Sequence, residues 1–361
     1  MEELLHTLVG FRSVSGDAAQ LKAIVQFVDD YLSQRGMFVE RFESQGFPSL
    51  VATTQPGDRS PAVLFVIHLD VVPGEDRHFA VRQQGDKLLG RGVFDMKFAA
   101  AAALWLADQL RDRLADYDFG IMFTTDEEVG GRNGVKYLVE TQGYRADVCI
   151  VPDGGPDWQL EEFEKGVQWI KLEATGVSAH AARPWEGEHA IHKLLHALAD
   201  IRHLFPAQDD KKATTLSVGT IHGGQTANQI AEHAEAMLDI RTASQADHTR
   251  AFPAIQAVCQ KHDVQAVQLV NDAPCINSPD NPYIARFRDI MTRVTGRATG
   301  PFYSYAVTDG RFFTPLHIPC VIVQPPGGEN HADGEWISAK GVQQFYDIVR
   351  EYIEATARRR A

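Results

Sequence analysis

Ala62-Val63-Leu64-Phe65-Val66-Ile67-His68-Leu69-Asp70 is an unbroken apolar run that ends in an imidazole and a carboxylate. A short run rich in Val, Ile and Phe, without alternation, reads as a strand buried on both faces, as in a parallel sheet covered by helices. Open α/β sheets build their sites just past the carboxyl ends of such strands. The place where this run stops is therefore informative, and the same arrangement recurs. Phe119-Gly120-Ile121-Met122-Phe123-Thr124 leads through Thr125-Asp126 into Glu127-Glu128, and Val148-Cys149-Ile150-Val151-Pro152 leads into Asp153. Gly90-Arg91-Gly92-Val93-Phe94-Asp95-Met96-Lys97 sets Asp95 in a glycine-flanked turn, and His331 follows near the end of the chain. One such segment would mean little; together they point to a hydrolase with more than one metal ion.

Outward from these segments, strand-like runs at Met37 to Phe42, Leu50 to Thr53, Ala62 to Leu69 and Phe119 to Thr124 alternate with helical patterns. Leu21, Ile24, Val25, Val28 and Leu32 repeat at helical spacing, with Asp17 and Gln20 as a capping box. Further helical patterns span Lys97 to Leu110 and Gly134 to Thr141. This alternation predicts an α/β domain built on a mostly parallel, doubly covered sheet.

After Asp153 the pattern changes. Val167 to Ala174, His189 to Phe205, Thr215 to His222, Ala234 to Arg241, His248 to His262 and Val264 to Val270 read as strand, helix, strand, strand, helix, strand. That order is the split βαβ, ferredoxin-like arrangement. It predicts an inserted α+β domain over residues 164–271, inside an α/β domain made of residues 1–163 and 272–361, with joints near Phe163 and Asp272. The α/β pattern resumes with a helix from Pro282 to Val294, a strand Pro319 to Val323 and a helix from Ala339 to Thr356.

The composition suits this reading. At 361 residues the chain is long enough for two domains, and its formal net charge of −13 argues against a nucleic-acid or anionic-membrane surface. Cys149, Cys259, Cys275 and Cys320 form no C-x-x-C pair, so neither a thiolate zinc site nor a disulfide framework is expected. The start, Met1-Glu2-Glu3-Leu4-Leu5-His6, is unlike a signal peptide. The apolar stretch Phe98 to Leu110 is shorter than the roughly 20 residues a membrane span needs. A cytoplasmic protein is the expectation.

The chemistry of the candidate site can be read residue by residue. His68 and Asp70 are two apart, so on a continuing strand they share a side, and Asp70 can hold the far nitrogen of His68 while the near one binds metal. Asp95 lies where backbone approaches something closely and a carboxylate can bridge two cations. Glu127 and Glu128 are adjacent carboxylates, a costly pair unless a cation or a shared proton relieves the repulsion. One of them on metal and the other free to move protons is the natural division. A zinc-bound water has a pKa near 7, and a carboxylate beside it can take its proton as it attacks a carbonyl. Oxygen-rich ligation also suits manganese or cobalt.

These motifs resemble the cocatalytic zinc exopeptidases and deacylases, a family that includes succinyl-diaminopimelate desuccinylase, acetylornithine deacetylase, carboxypeptidase G, aminoacylase and peptidase T. The likeness covers almost the whole chain. It implies two divalent ions, zinc in the family's usual pattern, with His68 and Asp153 on one, Glu128 and His331 on the other, Asp95 as the bridge and Glu127 as general base. It also implies a cis peptide after Asp95. Gly176-Val177-Ser178-Ala179-His180 is similar to the lid and dimerisation segment whose histidine stabilises the oxyanion, and Asn228 and Arg241 fall where substrate-facing residues are implied. A homodimer is the implied assembly.

Two segments pull the substrate in different directions. Thr308-Asp309-Gly310-Arg311-Phe312 resembles the desuccinylase segment whose arginine binds a substrate carboxylate, a role suited to a planar guanidinium. Asp153, within Val151-Pro152-Asp153-Gly154-Gly155, stands where peptidase T and the dipeptidases carry Asp and the deacylases carry Glu. The sequence therefore predicts hydrolysis of an amide bond in a small substrate, either a short peptide or an N-acyl amino acid. A biosynthetic deacylase of the acetylornithine or succinyl-diaminopimelate type is the alternative, and a scaffold without chemistry a remote one.

Overall fold

The computed structural model describes residues 1–205 and 212–359. The chain divides into two compact units. The first comprises Met1–Phe163, Ile276–Ser304 and Thr308–Ala361, and the second comprises Glu164–Cys275 and Tyr305–Val307. The second crossing of the chain thus comes at Cys275–Ile276, a few residues beyond Asp272, where the last strand of the second unit ends.

The first unit is built on a six-stranded sheet in the order Phe38–Ser44, Phe47–Thr53, Phe119–Thr124, Val63–His68, Val148–Val151, Cys320–Ile322. The last four strands run parallel, and the first two form an antiparallel hairpin on the edge. Every residue of Val63–His68, Phe119–Thr124 and Val148–Val151 is buried, which accounts for their unbroken apolar runs. Helix Phe98–Leu110 contributes five consecutive buried alanines, Ala99 to Ala103. Their small side chains let it pack between Glu2–Gly10 and Ala339–Thr356, with Phe98 edge-on to Phe345 at 5.2 Å.

The helix Ala18–Ser33 begins as its sequence predicts, with one difference. Asp17 accepts the backbone N–H of Ala19 and Gln20 at 3.2 and 3.1 Å, but the Gln20 side chain accepts from Arg12 N–H at 3.2 Å and so ties down the preceding loop. A second, antiparallel sheet orders Gly327–Gly328, Trp336–Ser338, Lys87–Leu89 and Arg82–Gln84. It brings the chain on either side of residue 335 against the segment leading into Asp95, with Gly90 N–H donating to Glu335 O at 3.1 Å. Cys149, Cys259, Cys275 and Cys320 are buried and stand outside any disulfide among the described residues.

The second unit has the order strand, helix, strand, strand, helix, strand. Its antiparallel sheet runs Thr215–Gly223, His233–Thr242, Gly166–Thr175, Val264–Asp272. Burial alternates along the two central strands, and the inward residues Ile170, Leu172, Leu238 and Ile240 form one core with Leu194, Ala197, Ile201, Ile255 and Val258 of helices Ala190–Leu204 and Gln245–Lys261. Thr215–Gly223 is an edge strand, exposed nearly throughout, with Val218 and Ile221 facing out. Among the described residues no helix is long and apolar enough to cross a membrane.

Candidate metal centre

Parallel pairing places His68 opposite Thr124. The chain therefore leaves both strands at the same edge, and Leu69 N–H still donates to Thr124 O at 2.8 Å. Just beyond, the Asp70 carboxylate accepts the backbone N–H of Glu127 at 3.3 Å, that of Glu128 at 3.2 Å and the Ser15 hydroxyl at 2.8 Å. It faces His68 Nδ1 at 3.6 Å, but the nearer partner of that nitrogen is the Asp70 main-chain oxygen, at 3.0 Å. Both features orient the ring. The carboxylate expected to act on His68 thus spends its hydrogen bonds on the turn that carries the two glutamates.

Two groups of donors converge. His68, Glu127 and Asp153 form one, and Asp95, Glu128 and His331 the other; within each, one donor atom per residue lies within 4.8 Å of the others. The Asp95 carboxylate stands between the imidazoles, Oδ1 at 3.0 Å from His68 Nε2 and Oδ2 at 3.2 Å from His331 Nε2. His68 Nε2 is 3.9 Å from Asp153 Oδ1, and His331 Nε2 is 3.0 Å from Glu128 Oε2. The Asp95–Met96 peptide is cis.

The electrostatics of the group are those of anions gathered without enough positive charge. Burial pushes the carboxyl groups of Glu127 and Asp153 up, and lifts Glu128 to about 8 with help from the neighbouring Asp95 charge. Asp95 goes the other way: burial opposes its ionisation, yet the hydrogen bonds from His331 and His68 outweigh burial and hold it well below the carboxylate range. The bond to Asp95 raises His331 to about 9. For His68, burial works against charge, and its contacts with Asp153, Asp70 and Asp95 more than reverse that effect. Four carboxylates and two imidazoles in this arrangement are a nitrogen and oxygen donor set that fits divalent metal ions, whose charge would relieve the repulsion.

A family model described as Peptidase family M20/M25/M40 matches residues 64–355, a span that holds all six of these donors. The chain belongs to this family. It is a hydrolase of C–N bonds, carrying out metal-dependent cleavage of an amide in a small substrate. A succinyl-diaminopimelate desuccinylase of Stenotrophomonas maltophilia (strain K279a) is 25% identical over 371 residues, covering 98% of this chain and 98% of that protein. A probable carboxypeptidase of Aspergillus terreus is 31% identical over 221 residues, 57% of this chain and 49% of its own length. A tripeptidase structure from Staphylococcus aureus superposes with a TM-score of 0.78 at 19% identity, covering 98% of this chain and 97% of that one, which is a likeness of fold.

The M20 centre has supports that the sequence did not reveal. Glu335 is buried and pairs with buried Arg91 at 2.9 Å. Its two oxygens accept the backbone N–H of Gly92 at 2.9 Å, Phe94 at 3.0 Å and Asp95 at 3.2 Å. The glycine in this turn is required: Gly92 has φ +77°, and a Cβ there would sit 2.7 Å from Val71 Cγ1. Beneath the turn, Lys97 is fully buried and donates to Phe11 O at 2.9 Å. A clue to Glu335 was available only in its closeness to His331, since Arg91 lies far away in sequence.

Arg311, expected at a substrate carboxylate, makes several bonds within the fold. Its side chain is 2% exposed, and the guanidinium donates to Thr308 O at 2.8 Å and Gly130 O at 2.9 Å, with Nη1 3.7 Å from Glu127 Oε1. It braces the far end of the Glu127–Gly130 turn from within. Beside it lies buried Asp309, whose carboxyl is driven up by burial and by the Glu127 charge.

The remaining predicted residues belong to the second unit. His180 and Asn228 come together there: Ala181 N–H donates to Asn228 O at 2.9 Å, and His180 bridges to Gln229. Arg241 stands apart from them on strand His233–Thr242, where Asp239 takes its guanidinium in two bonds of 2.8 and 3.1 Å.

Proposed function

We propose that this M20 enzyme cleaves a short peptide or an N-acyl amino acid, with Glu127 as the group that moves the proton. The observation that carries the reading is the meeting of two donor triads across the Asp95 carboxylate, with Glu127 held at its edge by Asp70 on one side and Arg311 on the other. His68 and Asp153 would hold one ion, Glu128 and His331 the second, and Asp95 both; zinc suits the mixed donors, with manganese or cobalt as alternatives. When bound, such ions supply Lewis-acid polarisation of a carbonyl and make water acidic near neutral pH.

The chain's own residues then do the following. Glu127 accepts a proton from the attacking water and later delivers it to the leaving nitrogen, so that the C–N bond breaks to give a carboxylate and an amine. Asp70 fixes the height of the Glu127 backbone, and Arg311 and buried Asp309 set the surroundings of its carboxylate. From the second unit, His180 is assigned to the carbonyl oxygen, and Asn228 and Arg241 to the rest of the substrate. The exposed edge strand Thr215–Gly223 suits pairing with a second copy, which makes a homodimer part of this reading. Action in the cytoplasm is also part of it.

The desuccinylase reading keeps one specific support, the full-length similarity to the Stenotrophomonas protein. The internal bonds of Arg311 weaken the other argument for it, because a guanidinium already donating to two main-chain oxygens is a poor primary anchor for a ligand. Product analysis by mass spectrometry separates the readings. Zinc- or manganese-loaded enzyme is given unblocked dipeptides beside N-acetyl and N-succinyl amino acids, with Glu127→Ala as control. Cleavage confined to peptides makes it a peptidase, cleavage confined to blocked amino acids a deacylase, and no cleavage in either set would remove the proposal.

A further inference from the structure

We propose that the second unit carries its own binding site for one divalent transition ion, held by His196 and Asp200 of helix Ala190–Leu204, by His262 at the end of helix Gln245–Lys261, and by His203. The ligand class is Zn2+ or a comparable borderline ion. Residues 196, 200 and 203 are spaced four and three apart, so their side chains follow one stripe of the helix, away from the core positions Leu194, Ala197 and Ile201. His192 continues the stripe one turn earlier. Across from it, His262 Nε2 is 2.8 Å from Asp200 Oδ2, and the His196 and His262 rings lie 6.1 Å apart between centroids.

These residues stand near one another without being gathered as ligands yet: among the described residues, the groups with donor atoms all within 4.8 Å are those of the first unit's metal centre. Two imidazoles on one tetrahedral zinc, with Zn–N of about 2.0–2.1 Å, have ring centres roughly 5 Å apart. A turn of the exposed His196 side chain would close the difference, and the Asp200 and His262 side chains are 51% and 24% exposed. The Asp200 carboxyl is held below its usual range, first by the His262 hydrogen bond and then by the charges of His262, Lys261 and His203. It is therefore an ionised ligand at neutral pH. His262 caps one helix at its C-terminal end and His203 lies in the last turn of the other, where the helix dipoles favour a cation. Three imidazoles and one carboxylate select zinc, nickel, cobalt or copper over magnesium and calcium. Bound there, the ion would clip together the two helices that cover the sheet of the second unit.

The test uses the full chain and Zn2+ alone, and needs no substrate. Zinc per chain is measured by elemental mass spectrometry after equilibration against a fixed free zinc concentration, and the thermal midpoint is recorded with and without zinc. The wild type should hold one more zinc per chain than the His196→Ala, His262→Asn double variant, and only the wild type should gain the zinc-dependent rise that the clip adds. Equal zinc in the two proteins would overturn the proposal. So would loss of the extra ion on His192→Ala with retention in His262→Asn, because that result places the ion on a bare pair of helix histidines and not between the helices.

Discussion

Glu335 accepts the backbone N–H of Asp95 at 3.2 Å, although 240 residues separate the two in sequence. The same carboxylate takes the N–H groups of Gly92 and Phe94 and one guanidinium nitrogen of Arg91, so four donors of this turn converge on one side chain. Removing one partner of such a buried pair leaves the other charge uncompensated. Glu335→Ala should cost about 3–5 kcal/mol in a denaturant titration. Glu335→Gln, which keeps the shape, should fold and show metal affinity lowered by about 10–100-fold, as expected of a group that orients a ligand from behind. Unchanged metal affinity in the Gln variant would mean that Glu335 serves folding alone.

The proposed division of labour, with Glu127 moving the proton and Glu128 on metal, makes the two carboxylates respond differently to removal. Glu127→Ala should lower kcat by about 10²–10⁴-fold while elemental analysis shows the metal content of the wild type. Loss of metal together with activity would make Glu127 a ligand in its own right, in keeping with its place beside His68 and Asp153.

Metal loading should release protons. With its carboxyl at about 8, Glu128 is protonated in the metal-free enzyme at pH 7, and a cation can bind only by displacing that proton. Adding Zn2+ to metal-free protein in a pH-stat at pH 7 should therefore release acid, and Glu128→Gln should release less. The difference should fade as the pH rises past the titration of Glu128, where the carboxylate is already free.

Lys97 offers a test of the support beneath the site. Burial lowers its ammonium from the ordinary lysine value to about 7. Between pH 7 and the ordinary value, the unfolded chain binds this proton and the folded chain does not. Stability then rises with pH, by at most about 1.4 kcal/mol per pH unit for one such group. Lys97→Met should remove that slope from the metal-free protein, as read by urea midpoints across pH 7 to 10. Parallel profiles for the two proteins would show that Lys97 keeps its charge when buried.

The sequence by itself determined the strands, because a strand covered on both faces must be apolar throughout, as Val63–Ile67 and Phe119–Phe123 are. It also pointed to candidate donors: His68, Glu127, Glu128 and Asp153 follow such runs, Asp95 sits in a glycine-flanked turn, and the family resemblance implied the ligand roles, His331 included. The alternation after Asp153 disclosed the second unit. What the tertiary structure decided is how those donors are held. Asp70 faces the His68 ring but also takes the Glu127–Glu128 backbone, and Arg311 went inward to Thr308 and Gly130, because the N–H and C=O groups of tight turns need partners once they are buried. Glu335 was illegible for the same reason: its partners are main-chain groups, which every residue carries, and only the pairing of Lys87–Leu89 with Trp336–Ser338 brings it to them.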